Sequence, residues 1–311
     1  MNETKPYLKI FNLLLILAAY GYLTYRLIVF DGYNSFLATF QAADISFWLI
    51  FFTIAILMPL NVLCEAGKWK LLLRDLEPMS IWGAQRQVYY GYVGAFVTPY
   101  QAGDYPARAM LLKEKKNWSA AVGLGLVGTV ALLIVEMILG IPATWLYASY
   151  NQNIPMQYFA VAFIIVVLLF SFLPHLVRYL SYREWKSVQM QQLVKALSKF
   201  SYSRFMRVIG WSFLRYLVWL LQLALALHLC GVEMSIMQYL IAIPFYYMVI
   251  AIFPSVPLLN IAIRGTWSLI IFDTFCNNTA GITLAIVLIW AVNTVIPMMI
   301  GSLLYRNGKT K

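Results

Sequence analysis

The sequence predicts an all-α, polytopic integral membrane protein of about eight transmembrane helices. A re-entrant helical hairpin near 84–112 and a second proline-broken segment near 254–265 interrupt the series. Three observations carry this fold class. Hydrophobic residues fill 62% of the 311 positions and charged ones 11%, against about 45–50% and about 25% in soluble domains, and the mean hydropathy is +0.75. The apolar residues gather in runs of about 20, enough to cross a hydrocarbon core of about 30 Å. Lysines and arginines cluster in alternate connections between those runs, as the positive-inside rule requires. No long polar stretch is left over, so one membrane domain is expected over 1–311, with a weak two-half repeat at 1–155 and 156–311.

The first run, Phe11–Phe30, follows Lys5 and Lys9 and has no small-residue cleavage site. It reads as a spanning helix rather than a removed signal. Further crossings are expected at Ile45–Cys64, Ser119–Tyr147, Pro155–Pro174, Val208–Cys230, Ile236–Phe253, Leu258–Phe275 and Gly281–Tyr305. The connection after the second run carries Lys68, Lys70, Arg74, Arg86, Arg108, Lys113, Lys115 and Lys116, and that after the fourth carries Arg178, Arg183, Lys186, Lys195, Lys199, Arg204 and Arg207. The opposite connections, 31–44, 148–154, 231–235 and 277–280, hold no lysine or arginine. Both termini are therefore expected on the cytoplasmic side of a cytoplasmic membrane. The net charge of +11 sits in these short basic loops, which argues against a nucleic-acid partner.

Segment 178–207 is basic with Leu193, Val194, Leu197 and Phe200 at helical spacing. It is expected to lie on the inner leaflet and contact anionic lipids. "GLGLVG" at Gly123–Gly128 matches a dinucleotide fingerprint, but that motif needs a strand before it. Inside an apolar helix, small residues that admit a close neighbour explain it better. Cys64, Cys230, Cys276, His175 and His228 show no ligand spacing, so no metal and no cofactor are expected. Cys230 and Cys276 both fall near the outer face, where a disulfide stays open.

The central stretch "YYGYVGAFVTPYQAGDYPARAMLL" (89–112) begins as a membrane helix, which Pro99 stops. Gly103 permits a turn, and Asp104 followed by Pro106 resembles an N-cap with proline in the first turn. Both flanks carry cytoplasmic-type charge, so the chain should enter and leave on one side, with its broken backbone sheltered by protein. Arg108, one turn after Asp104, can pair with that carboxylate or meet an anion at the break. A second break follows in "FPSVPLLNIAIRG", where Pro254 and Pro257 precede Asn260 and Arg264. Pro99 and Pro254 lie 155 positions apart, each followed by an arginine after nine or ten positions. Paired interruptions of this kind point to a transport site. Arg215 lies inside a predicted span, with snorkelling inward as one reading; Glu136 and Asp273 are the acids deepest in predicted spans, as arginine partners or proton relays. Glu65 and Lys68 share a helix face at the end of the second run.

"NVLCEAGKWKLLLRD", the central stretch with its basic exit "KEKK", and "FPSVPLLNIAIRG" together resemble the flippase-like membrane domain of the lysylphosphatidylglycerol synthases. The resemblance implies a helical domain that moves a lipid between leaflets, aminoacylated phosphatidylglycerol in the best-known case. By position it carries over Glu65 and Trp69, then Pro99, Gly103, Asp104 and Arg108, then Arg264. The late motif departs from the family pattern, having "NIAIRGTW" with no acid beside the arginine. The chain shows no soluble acyltransferase segment, so synthase activity is not implied. The expected function is translocation of a phospholipid or lipid-phosphate. The alternatives are a membrane enzyme acting on a phospholipid or polyprenyl-phosphate, and a non-transporting accessory protein.

Overall fold

The computed structural model describes residues 44–98, 101–150, 188–198, 200–252 and 257–308, with isolated helical positions at 161, 164 and 179. The expected span Phe11–Phe30 lies outside them, as does Pro155–Pro174 apart from 161 and 164. The described residues form helices and turns without a strand. Four helical stretches are long and apolar enough to cross a membrane: Ile45–Leu72, Lys115–Ala148, Tyr202–Leu229 and Thr279–Leu304.

Helix α1 (Ile45–Leu72) starts where the Phe47 amide donates to Asp44 Oδ1 at 2.9 Å. At 1.5 Å per residue its 28 residues reach about 42 Å, across hydrocarbon and interface. Ile45, Leu49, Phe52, Ile56, Leu60 and Leu63, spaced three or four apart, are exposed. The buried face carries Asn61, Glu65, Lys68 and Trp69. Such a helix would be inside out in water. In lipid the apolar stripe faces its solvent and the polar one is sheltered.

Helices α2 (Ile81–Val97) and α3 (Asp104–Met110) form the expected hairpin, followed by a 3-10 turn and α4 (Trp118–Ala148). Thr98 Oγ1 donates to the Gly94 carbonyl at 2.8 Å and accepts from the Gly103 amide at 2.7 Å, closing the break. A Cβ on Gly94 would strike the Gly103 carbonyl, and one on Gly103 the Gly94 carbonyl. Only glycine at both positions lets the two arms touch backbone to backbone.

Then come α5 (Val188–Ser198), α6 (Tyr202–Leu229), α7 (Ile236–Ile252), α8 (Pro257–Phe272), α9 (Thr279–Trp290), a π turn at Ala291–Val295 and α10 (Ile296–Gly308). Helix α5, within the basic amphipathic segment, packs on α4 with Val194 buried. The three glycines of "GLGLVG" are where α4 meets neighbours: Leu193 at Gly123, Tyr105 at Gly125, and Leu72 with Lys68 at Gly128. The small-residue explanation of that motif therefore holds.

Polar contacts gather the connections at two ends. At one, Arg204 pairs with Asp75 at 2.6 Å, the Lys113 amide donates to Glu77, and Asn117 Nδ2 donates to the Leu76 carbonyl. This end holds the basic connections. At the other, Asn278 Nδ2 donates to the Gly231 carbonyl at 2.8 Å, and the Tyr147 hydroxyl is 2.6 Å from Thr274 Oγ1. The α2–α3 hairpin opens at the basic end.

Segments Ile236–Phe253 and Leu258–Phe275, expected as two crossings, are occupied by two short helices, α7 and α8, that pack against each other. Helices α7 and α8 have 17 and 16 residues, about 25 Å each against a core of about 30 Å. Their open ends lie at the non-basic end. Met248, four residues from the end of α7, packs beside Gly140 and Thr144, still in the non-basic half of α4. Two hairpins thus enter from opposite ends of the bundle.

Candidate functional site

Glu65, 1% exposed, is the centre of a buried ion cluster contributed by α1, α3 and α6. One carboxylate oxygen accepts from Arg108 Nη1 at 2.7 Å; the other meets Lys68 Nζ at 2.7 Å and Arg215 Nη1. Arg108 is also held in a fork, Nε to Asp104 Oδ1 at 2.7 Å and Nη2 to Oδ2 at 2.6 Å. Its guanidinium lies against the rings of Trp69 and Tyr105, which stack on each other. Trp69 Nε1 donates to Gln87 Oε1 at 2.6 Å, and the Tyr105 hydroxyl is 2.9 Å from Thr129 Oγ1. Every neighbour of the short α3 thereby fixes it in place. Gly91 makes room for the Asp104 carboxylate, which a Cβ there would displace.

A ladder of amides continues from the cluster. Arg215 Nε donates to Asn61 Oδ1 at 2.9 Å, Asn61 Nδ2 to Asn293 Oδ1 at 3.1 Å, Asn293 Nδ2 to Gln222 Oε1 at 2.9 Å, and Gln222 Nε2 to the Ile54 carbonyl at 3.1 Å. Buried amides in a membrane must find such partners. The π turn contributes Asn293, in keeping with the occurrence of such turns at functional sites.

Beside the ladder opens a cleft. Arg215 from α6 and Arg264 from α8 both line it, with Asn61, Asn293, Gln101 and Thr294 as polar groups and Tyr92, Phe96, Trp219, Tyr247 and Trp290 as aromatic walls. Gln101, in the α2–α3 break, has a positive φ of 56°. The Arg215 guanidinium lies 4.7 Å from the Trp219 ring centroid, and its Nη2 donates to the Tyr92 hydroxyl at 3.2 Å. Glu136 is buried on α4, and the charges acting on it, Arg215, Arg264 and Lys68, are all cations. Even with Glu136 ionised, four cations (Lys68, Arg108, Arg215, Arg264) stand against three carboxylates (Glu65, Asp104, Glu136) among the described residues of this region.

The sequence model of the lysylphosphatidylglycerol synthase transmembrane region matches residues 10–300. The chain belongs to this family. No individual curated protein matches it significantly. The match covers the transmembrane region of the lysylphosphatidylglycerol synthase family, and with the apolar spans it makes the chain an integral membrane protein.

Within this lysylphosphatidylglycerol synthase region, the structure joins some expected residues and separates others. Glu65, Asp104 and Arg108 meet, but Arg108 is 2% exposed, its guanidinium taken by two carboxylates, and it does not line the cleft. Arg215 does not snorkel to the interface; its partner is Glu65. Arg264 reaches the cleft, near the Tyr246 hydroxyl. Gly103, not Asp104, takes the N-cap position of α3, because Arg108 occupies both Asp104 oxygens. Asp273 is exposed in the turn that ends α8, at the non-basic end where Thr274 meets Tyr147, so it is no deep partner for an arginine. Pro99 and the side chain of Asn260 lie outside the described residues. Cys64, Cys230 and Cys276 are free thiols. Sequence reading missed Asn61, Gln222 and Asn293, although amides set in the apolar runs "PLNVL", "LLQLAL" and "WAVNTV" were the available signal.

Proposed function

We propose that this protein is a lipid translocase that shelters the phosphate of a phospholipid or related lipid-phosphate in the cleft while the acyl tails remain in the bilayer. One observation carries the reading: Arg215 and Arg264 approach one cleft from different helices, beside a cluster whose cations outnumber its carboxylates. A buried cationic surplus favours an anion, and guanidinium forks match phosphate geometry. The opposed hairpins support transport rather than static binding, since each can open the cleft toward its own side. The basic connections support placing their end, and with it both termini, on the cytoplasmic side of a bacterial or archaeal cytoplasmic membrane. Helix α5, with Lys195 exposed, would there meet anionic inner-leaflet lipid.

The test is leaflet transfer of fluorescent short-chain phospholipid in proteoliposomes, read by dithionite quenching. Losing one charge-assisted phosphate contact costs about 1.5–3 kcal/mol, so Arg264→Gln should slow transfer about 10- to 100-fold. Its melting temperature, measured alongside, separates a lost headgroup contact from a lost fold. Wild-type transfer no faster than in protein-free vesicles, or an Arg264→Gln rate equal to wild type, would refute the proposal.

A further inference from the structure

The tip of the α2–α3 hairpin carries a residue with no task in the ion cluster or the amide ladder. Helix α2 runs 17 residues inward from the basic end, about 25 Å at 1.5 Å per residue. Gln101 follows in the break, a polar side chain deep in the membrane thickness that lines the cleft. Irregular backbone at such depth is tolerated beside protein or a watery cavity. Among the described residues Gln101 is the one non-glycine residue at positive φ, 56°. In that conformation its Cβ crowds the carbonyl that follows, a strain that glycine would not carry. A glycine stands two positions on, but Gly103 has an ordinary φ of −79° and serves the close contact with Gly94 instead. The bend is not slack: the Gly103 amide donates to Thr98 Oγ1 at 2.7 Å, which closes the loop across Gln101. Backbone strain held in place by its surroundings, on the wall of a cleft, points to a function for the side chain it aims.

Arg215 and Arg264 reach the same cleft from α6 and α8. Acids already act on them: Arg215 pairs with Glu65, and the buried Glu136 lies in the field of both arginines. A phosphate must share their charge with those carboxylates. A neutral donor from a third element escapes that competition, and a carboxamide N–H is such a donor. Resting on the translocase reading, we propose that Gln101 is a headgroup contact, whose side-chain amide donates to the lipid phosphate from the tip of the re-entrant hairpin. The left-handed backbone aims the amide, and the closed loop holds that aim. Donors on three separate elements fix the orientation of the phosphate, which two guanidiniums would leave freer to turn.

The experiment uses proteoliposomes of the full chain with labelled phosphatidylglycerol, and each variant is melted in detergent alongside. Gln101→Gly removes the amide and the backbone strain together. It should transfer lipid about fivefold more slowly, the effect of one neutral hydrogen bond, and melt no lower than the wild type. Gln101→Asn keeps a carboxamide and takes the left-handed backbone more readily, so it should move lipid faster than Gln101→Gly. Gln101→Glu keeps the length but turns the donor into a carboxylate, and should be the slowest of the three because it repels phosphate. A Gln101→Gly rate equal to the wild type overturns the inference, as does Gln101→Asn no faster than Gln101→Gly, or Gln101→Glu as fast as Gln101→Gly. A Gln101→Gly midpoint more than about 2 °C below the wild type, or its failure to fold, also overturns it, because the side chain then serves the fold. All these results leave the translocase reading standing. If the wild type moves lipid no faster than empty vesicles do, that reading fails and takes this inference with it.

Discussion

Glu65→Gln is expected to melt about 10 °C below the wild type in detergent, or to be recovered only as aggregate. The one Glu65 carboxylate neutralises contacts from Arg108, Arg215 and Lys68. Glutamine keeps the volume but turns one acceptor into a donor facing cations, and leaves those cations buried with Asp104 as the remaining acid in direct contact. Removing one partner of a buried ion pair costs about 3–5 kcal/mol, and each kcal/mol moves the midpoint of a chain this size by about 2–4 °C. Intrinsic-fluorescence melting and size exclusion would measure it. Adding Lys68→Met to Glu65→Gln should recover part of the loss, because it removes one uncompensated cation and leaves an apolar side chain in its place. A Glu65→Gln midpoint within about 2 °C of the wild type would show that the cluster does not hold the fold.

Gly94→Val is expected to abolish lipid transfer and to destabilise by about 3 kcal/mol, the upper end for overpacking. At most overpacked sites a side chain can turn aside. Here the added Cβ meets the Gly103 carbonyl and lies 2.5 Å from Ala107 Cβ, so the backbone itself must move. Helix α3 would shift away from α2, and with it Arg108, which must stay 2.7 Å from Glu65. Gly210→Ala is the control: a Cβ there meets nothing within 4 Å, and alanine in a helix is favoured over glycine by about 1 kcal/mol. That variant should transport normally and melt no lower than the wild type. Normal transfer by Gly94→Val would mean that the closed hairpin is dispensable.

The hairpin was legible because proline and glycine act locally, and so was the Glu65–Lys68 pair, whose three-residue spacing sets it on one face. The two ends of the bundle were legible because charge density in loops needs no knowledge of packing. Arg215 was not. Its partner lies 150 positions away, and nothing in "FLRYLVW" says which way α6 is rotated about its axis. Asp273 was misplaced for a related reason: its depth depends on where α8 begins, and a broken segment does not keep register with an unbroken one. The cleft arose from the same long-range geometry, since Tyr92, Arg215, Arg264 and Asn293 come from four separate stretches of chain.

The π turn at Ala291–Val295 sets the phase of the last span. An extra residue in one turn rotates everything after it by roughly 100° relative to a continuous α-helix. Before the turn, α9 packs on α6 and α8; after it, α10 packs on α2, with Gly301 set directly against the Tyr89 carbonyl. One span therefore presents different faces to α6 and α8 before the turn and to the re-entrant hairpin after it. Sliding that extra residue along the helix by one turn would swivel the half that grips α2 without unfolding either half. Asn293, within that turn, joins the amide ladder at the point where the span changes the neighbours it packs on.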